Sequence, residues 1–151
     1  MPTGDRLSSS GAFQKAGMVM GETVKLAALG AVAFMVLDGV WLGVLMKNFY
    51  RDQLAPIVRL ADGGIAPNWP AALVVYALLG TGIALFVIPR ASTVSSAAVS
   101  GALFGLVVYG VYDFTNYSTL RQWPFVVVLA DVAWGAVASA ACASFVRILA
   151  R

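Results

Sequence analysis

Three of the seven acidic residues in this 151-residue chain, Asp38, Asp113 and Asp131, fall inside long apolar stretches whose interiors hold no Lys or Arg. A charged side chain at the centre of a bilayer costs about 2.5 to 3.5 kcal/mol on insertion scales, so acids in such places are functional by default and face a protein interior. Their helical neighbours are polar or aromatic. Tyr109, Asn116 and Tyr117 stand four before, three after and four after Asp113, and Tyr112 precedes it directly. Trp41 and Trp134 each follow an aspartate by three positions, in Asp38-Gly-Val-Trp41 and Asp131-Val-Ala-Trp134. Residues three or four apart share a helix face. The nine positions Asp38, Trp41, Tyr109, Tyr112, Asp113, Asn116, Tyr117, Asp131 and Trp134 are therefore the expected pocket.

Carboxyl groups in an apolar setting suit three kinds of chemistry: exchange of a proton for a cation, acid–base catalysis by a pair in unlike environments, and hydrogen bonding between helices. Arg121, Lys47 or Arg51 could also reach in from nearby loops and neutralise an acid by snorkelling. The chain has no His and one cysteine, Cys142. Nucleophilic triads that need an imidazole are excluded, and a carboxylate-only metal site would suit Mg, Ca or Mn rather than Zn. No metal is expected, and no cofactor is identified.

The positioning elements follow from composition. Sixty per cent of the residues are hydrophobic and 11% are charged, against roughly 25% charged in a soluble domain. An ordinary soluble globule, a disulfide scaffold and a disordered chain are all ruled out. A helix crosses a hydrocarbon core of about 30 Å with roughly 20 apolar residues. Four stretches qualify: 24–46, 70–89, 97–117 and 124–146. The expected fold is all-α, a polytopic four-helix transmembrane bundle over 24–148. It has one longer first loop and two hairpin-short ones, preceded by a loose polar tail at 1–23.

Depth groups the acids. At a rise of about 1.5 Å per residue, Asp38, Asp113 and Asp131 lie ~12, ~6 and ~10 Å below the face that carries the long loop. Trp69-Pro70 and Trp123-Pro124 read as helix entries anchored at the membrane interface. Gly39-x-x-x-Gly43 and Gly101-x-x-x-Gly105 read as sites where helix backbones pack closely within the bundle. Six Lys and Arg on the side of the termini against four on the other place both termini in the cytoplasm by the positive-inside rule. The net charge of +3 sits in loops and suits anionic lipid headgroups rather than nucleic acid.

The segments Leu37-Asp38-x-x-Trp41-Leu42-Gly43, Tyr109-Gly-x-Tyr112-Asp113-x-Thr115-Asn116-Tyr117-Ser118-Thr119-Leu120 and Asp131-x-x-Trp134-Gly135, with Trp123-Pro124, resemble a bacterial family of integral membrane proteins catalogued as domain of unknown function 2177. The resemblance covers roughly residues 24 to 148, and Tyr-Asp-x-Thr-Asn-Tyr is its most specific part. It implies a four-helix protein of the bacterial inner membrane and no particular activity. The leading expectation is a pocket for a small ligand or cation, with proton-coupled transport as its natural use. Four helices are few for a transporter, so that use calls for a homodimer. The rivals are a membrane-embedded enzyme acting on lipid or another apolar substrate, marked by a lateral opening between helices, and a structural or assembly subunit with a partner in a membrane complex.

Overall fold

The computed structural model describes residues 5–61 and 64–150. Asp62 of the first loop and Arg151 of the charge count lie outside the described residues, as do positions 1–4 of the expected tail. The helix α1 runs Asp5–Val40 and passes into a π-helical turn, Trp41–Leu45; a short helix α2, Lys47–Leu54, follows. A two-residue hairpin, β1 Leu60–Ala61 and β2 Gly64–Ile65, sets Leu60 opposite Ile65. Then come α3, Trp69–Gly82, extended by a π-helical turn Ile83–Val87, and the two long helices α4, Val94–Thr119, and α5, Phe125–Leu149.

Four helices are long and apolar enough to cross a membrane: Gln14–Leu45, Trp69–Arg90, Val94–Thr119 and Phe125–Leu149. Each overlaps one expected span. The N-terminal boundary differs, because residues 5–23 are helical and continuous with the first span rather than loose. No proline lies between Pro2 and Pro56, so nothing in the chain breaks the helical ladder before the membrane. At 36 residues, α1 is about 54 Å long and overshoots a bilayer core.

Caps fix the other starts. The Asn68 side chain accepts from the Ala71 N–H at 3.4 Å ahead of α3, and Thr93 and Ser96 form a reciprocal capping box ahead of α4. Pro70 stands in the first turn of α3, whereas Pro124 is the extended residue before α5 rather than its first helical one.

Glycines set the helix crossings. A Cβ on Gly105 would strike the Gly135 carbonyl oxygen, and one on Gly80 would strike the Ala27 carbonyl oxygen. So α4 lies backbone to backbone on α5, and α3 on α1. Gly39 and Gly43 do not take part: a Cβ on either meets nothing within 4 Å. This corrects the expectation that their pattern packs inside the bundle, because α3 crosses α1 a few turns earlier, at Gly30 and Gly80. The core between the helices holds Phe34, Ile83, Val87, Cys142 and Val146. A second, smaller core closes the loop end, where Tyr50 and Leu54 of α2 meet Val127. Outward side chains such as Val36, Leu78, Leu103 and Val137 are exposed, which suits acyl chains rather than water.

Candidate functional site

The π-helical turn at Trp41–Leu45 begins three residues after Asp38. Such turns add one residue to a helical round and re-aim the side chains that follow. Asp38 on α1 is 8% exposed, and Asp113 on α4 is fully buried. The Trp134 indole N–H donates to Asp38 Oδ1 at 2.8 Å, and Tyr76 of α3 stands beside the same carboxyl. The Trp41 N–H donates to the Tyr50 hydroxyl at 3.1 Å. That hydroxyl in turn donates to Asp131 Oδ1 in a short hydrogen bond. Asp131 neighbours Asp113, which accepts from the Trp123 N–H at 3.3 Å.

The two Asp-x-x-Trp segments thus serve each other. The tryptophan of the fourth span binds the aspartate of the first, and the tryptophan of the first reaches the aspartate of the fourth through Tyr50. The two indoles stack at 4.3 Å with an interplanar angle of 2°. Tyr109 lies against Gly135, where a Cβ would enter its ring, and so comes close to both Asp38 and Asp131.

Of the nine expected residues, Asp38, Trp41, Tyr109, Asp113, Asp131 and Trp134 come together. Asn116 is half-buried on the Asp113 face, and its side-chain nitrogen has no hydrogen-bond partner among the described residues. Tyr112 and Tyr117 do not join them, at 58% and 48% exposed. Tyr112 sits about 100° round the helix from Asp113 and meets Trp123 edge-on at 5.9 Å. Tyr117 lies on the last turns of α4, where the chain heads for the α4–α5 loop, and packs on Phe125 at 5.4 Å.

The described ion pairs are Lys25–Glu22 at 3.6 Å and Arg51–Asp52 at 2.8 Å, so none involves a membrane aspartate. Arg51 pairs instead with its exposed neighbour Asp52. Among the described residues the three carboxyls do not gather into one cluster able to hold a metal.

Asp38 also forms part of the wall of a cleft of about 480 Å³ between α1 and α3. Met35, Gly39 and Gly43 line one side, Tyr76, Ala72 and Trp69 the other, and Gly64 and Lys47 border it at the loop end. No residue of α4 or α5 lines it. The cleft therefore opens on the outer face of the α1–α3 pair.

A family model described as a predicted membrane protein, DUF2177, matches residues 23–148. The chain belongs to that family. The match takes in every residue of the cluster and the four candidate spans apart from residues 14–22 of the first and Leu149 of the last. No curated protein and no solved structure matches the chain. Within this family member, sequence reasoning missed Tyr50, Tyr76 and the Asp113 contact of Trp123. Tyr76 carried a signal, as a phenol inside an apolar span. Tyr50 and Leu54 carried one too, as apolar residues four apart in a loop otherwise rich in charge. Burial and then the bond to Asp131 hold the Tyr50 hydroxyl above the ordinary tyrosine range.

Proposed function

We propose that the protein binds a small cationic ligand at Asp38 from the α1–α3 cleft. One observation carries this reading: a nearly buried carboxyl borders a cavity and has no ion-pair partner among the described residues. A carboxylate in a poorly solvated wall is stabilised by an entering cation, and the aromatic rings of Tyr76 and Trp69 in the cleft lining favour an ammonium group further. The Asp113–Asp131 pair gives the site a second function. Two neighbouring carboxyls can share one proton, and the stacked indoles link that pair to Asp38. Exchange of a proton for the ligand is the transport mechanism this arrangement supports, in a homodimer of the inner membrane with cytoplasmic termini.

The test uses purified protein in nanodiscs of phosphatidylcholine, with hexylammonium as the probe and tryptophan fluorescence as the readout. Saturable binding that weakens at least tenfold in Asp38→Asn supports the reading. Binding unchanged by that substitution, or no saturable binding by the wild type, overturns it. The lateral opening of the cleft also favours acid–base work on a lipid substrate. That alternative predicts a chemically altered lipid recovered from nanodiscs holding wild type and not Asp38→Asn.

A further inference from the structure

The cleft carries opposite charges at its two ends. Asp38 stands at the deep end, and Lys47, the first residue of α2, stands at the loop end. The Lys47 stem is laid across β2, where a Cβ on Gly64 would come within 2.9 Å of its Cε. Gly64 is buried, so the absence of a side chain there is what gives the lysine its track. Between the two charges the lining is mainly apolar, with Leu42, Ile65 and Trp69, and Gly39 and Gly43 leave open space above the helix backbone.

A simple cation gains at Asp38 and is repelled by Lys47 on the way in. A ligand that carries an anionic group behind its cationic one gains at both ends. Both groups line the one cleft with Leu42, Ile65 and Trp69 between them, so a ligand that meets both carries its charges on either side of an apolar spacer. The order of charges also separates a free solute from a phospholipid headgroup. In a headgroup the ammonium is outermost and the phosphate deeper, whereas this cleft places its cation-seeking group deeper and its anion-seeking group at the mouth.

We infer that the ligand is a water-soluble zwitterion with an apolar spacer, an ω-amino carboxylate whose ammonium meets Asp38 and whose carboxylate meets Lys47. This rests on the reading of Asp38 as the cation-binding group and adds the second contact and the chemical class.

The experiment compares 6-aminohexanoate, glycine, hexylammonium and 1,6-diaminohexane on the full chain in phosphatidylcholine nanodiscs, read by tryptophan fluorescence and checked by calorimetry. The wild type is expected to bind 6-aminohexanoate at least tenfold tighter than hexylammonium or glycine. Lys47→Gln removes that advantage over hexylammonium, and Lys47→Glu transfers it to 1,6-diaminohexane. The exchange of preference is a readout that loss of folding does not produce, and thermal unfolding of each variant checks the fold independently. Hexylammonium bound at Asp38 with no gain from the added carboxylate overturns the zwitterion and leaves the cation site standing. Failure of every probe to bind the wild type overturns both. A preference for 6-aminohexanoate that survives Lys47→Glu also overturns the inference, because the anion contact is then elsewhere.

Discussion

The indoles of Trp41 and Trp134 lie face to face at 4.3 Å, and each points its N–H toward the acid of the other's segment. The two donors are unequal. Trp134 donates straight to a carboxyl at 2.8 Å, whereas Trp41 donates to the phenol oxygen of Tyr50 at 3.1 Å. Hydrogen bonds to an ionised group are roughly twice as strong as neutral ones. Trp134→Phe is therefore expected to cost more stability than Trp41→Phe, within the range of about 0.6 to 2 kcal/mol for polar contacts between membrane helices. Reversible unfolding in mixed micelles measures both, and an equal or reversed order contradicts the direct indole–carboxyl bond.

The glycine pairs separate into two kinds despite their identical spacing. Gly105→Ala drives a methyl group into the Gly135 carbonyl, and overpacking of a tight contact costs about 1 to 3 kcal/mol. Gly39→Ala meets open space and replaces glycine by the best helix former, worth up to about 1 kcal/mol in the opposite direction. The apparent melting temperature in detergent is expected to fall for the first and to stay level or rise for the second. A fall of similar size for both would mean that something packs on Gly39.

Composition and apolar length were sufficient to read the four spans, because a bilayer allows few alternatives to a long apolar helix. The depth of each aspartate followed from the same spans, and so did the grouping of Asp38, Asp113 and Asp131 at one end. Pairing was not legible. Two Asp-x-x-Trp segments are visible in the sequence, but a tryptophan three residues after an aspartate reads as that aspartate's own neighbour, and the exchange between segments depends on how α1 and α5 face each other. Tyr50 lay in a loop whose charges suggested solvent, and only the fold of α2 over the end of the bundle buries it to 3% exposure. Tyr112 and Tyr117 lie outside the buried cluster for a related reason: a polar stripe on a sequence has no width, whereas the contact of α4 with α5 covers a limited arc. The glycine patterns were ambiguous because spacing shows a small face and not what covers it.

Tyr50 gives the site a pH signature. Burial, reinforced by Asp131, raises its hydroxyl above the ordinary value near 10. Above that value the unfolded chain releases the proton and the folded chain keeps it, so folding stability falls as pH rises through the alkaline range. Below pH about 10 both states hold the proton and this contribution is constant. Tyr50→Phe is expected to flatten the alkaline loss of stability and to remove a late-titrating phenol from the absorbance change near 295 nm. An alkaline profile identical to the wild type would show that Tyr50 ionises freely.

Asp113 and Asp131 are predicted to act as one unit. Two neighbouring carboxyls in a poorly solvated site can share one proton, and the Tyr50 hydroxyl and Trp123 N–H supply one donor to each acid. Infrared spectra of the wild type should therefore show one hydrogen-bonded neutral carboxyl band for the pair, removed equally by Asp113→Asn and by Asp131→Asn. Each amide can donate to the remaining carboxylate in place of the shared proton, so both variants should keep the fold. Asp38→Asn should leave the band in place, because that acid hydrogen-bonds Trp134 and neither member of the pair. A band that survives either pair substitution, or one lost only with Asp38, would place the proton on a single acid and remove the basis for exchanging it against the ligand.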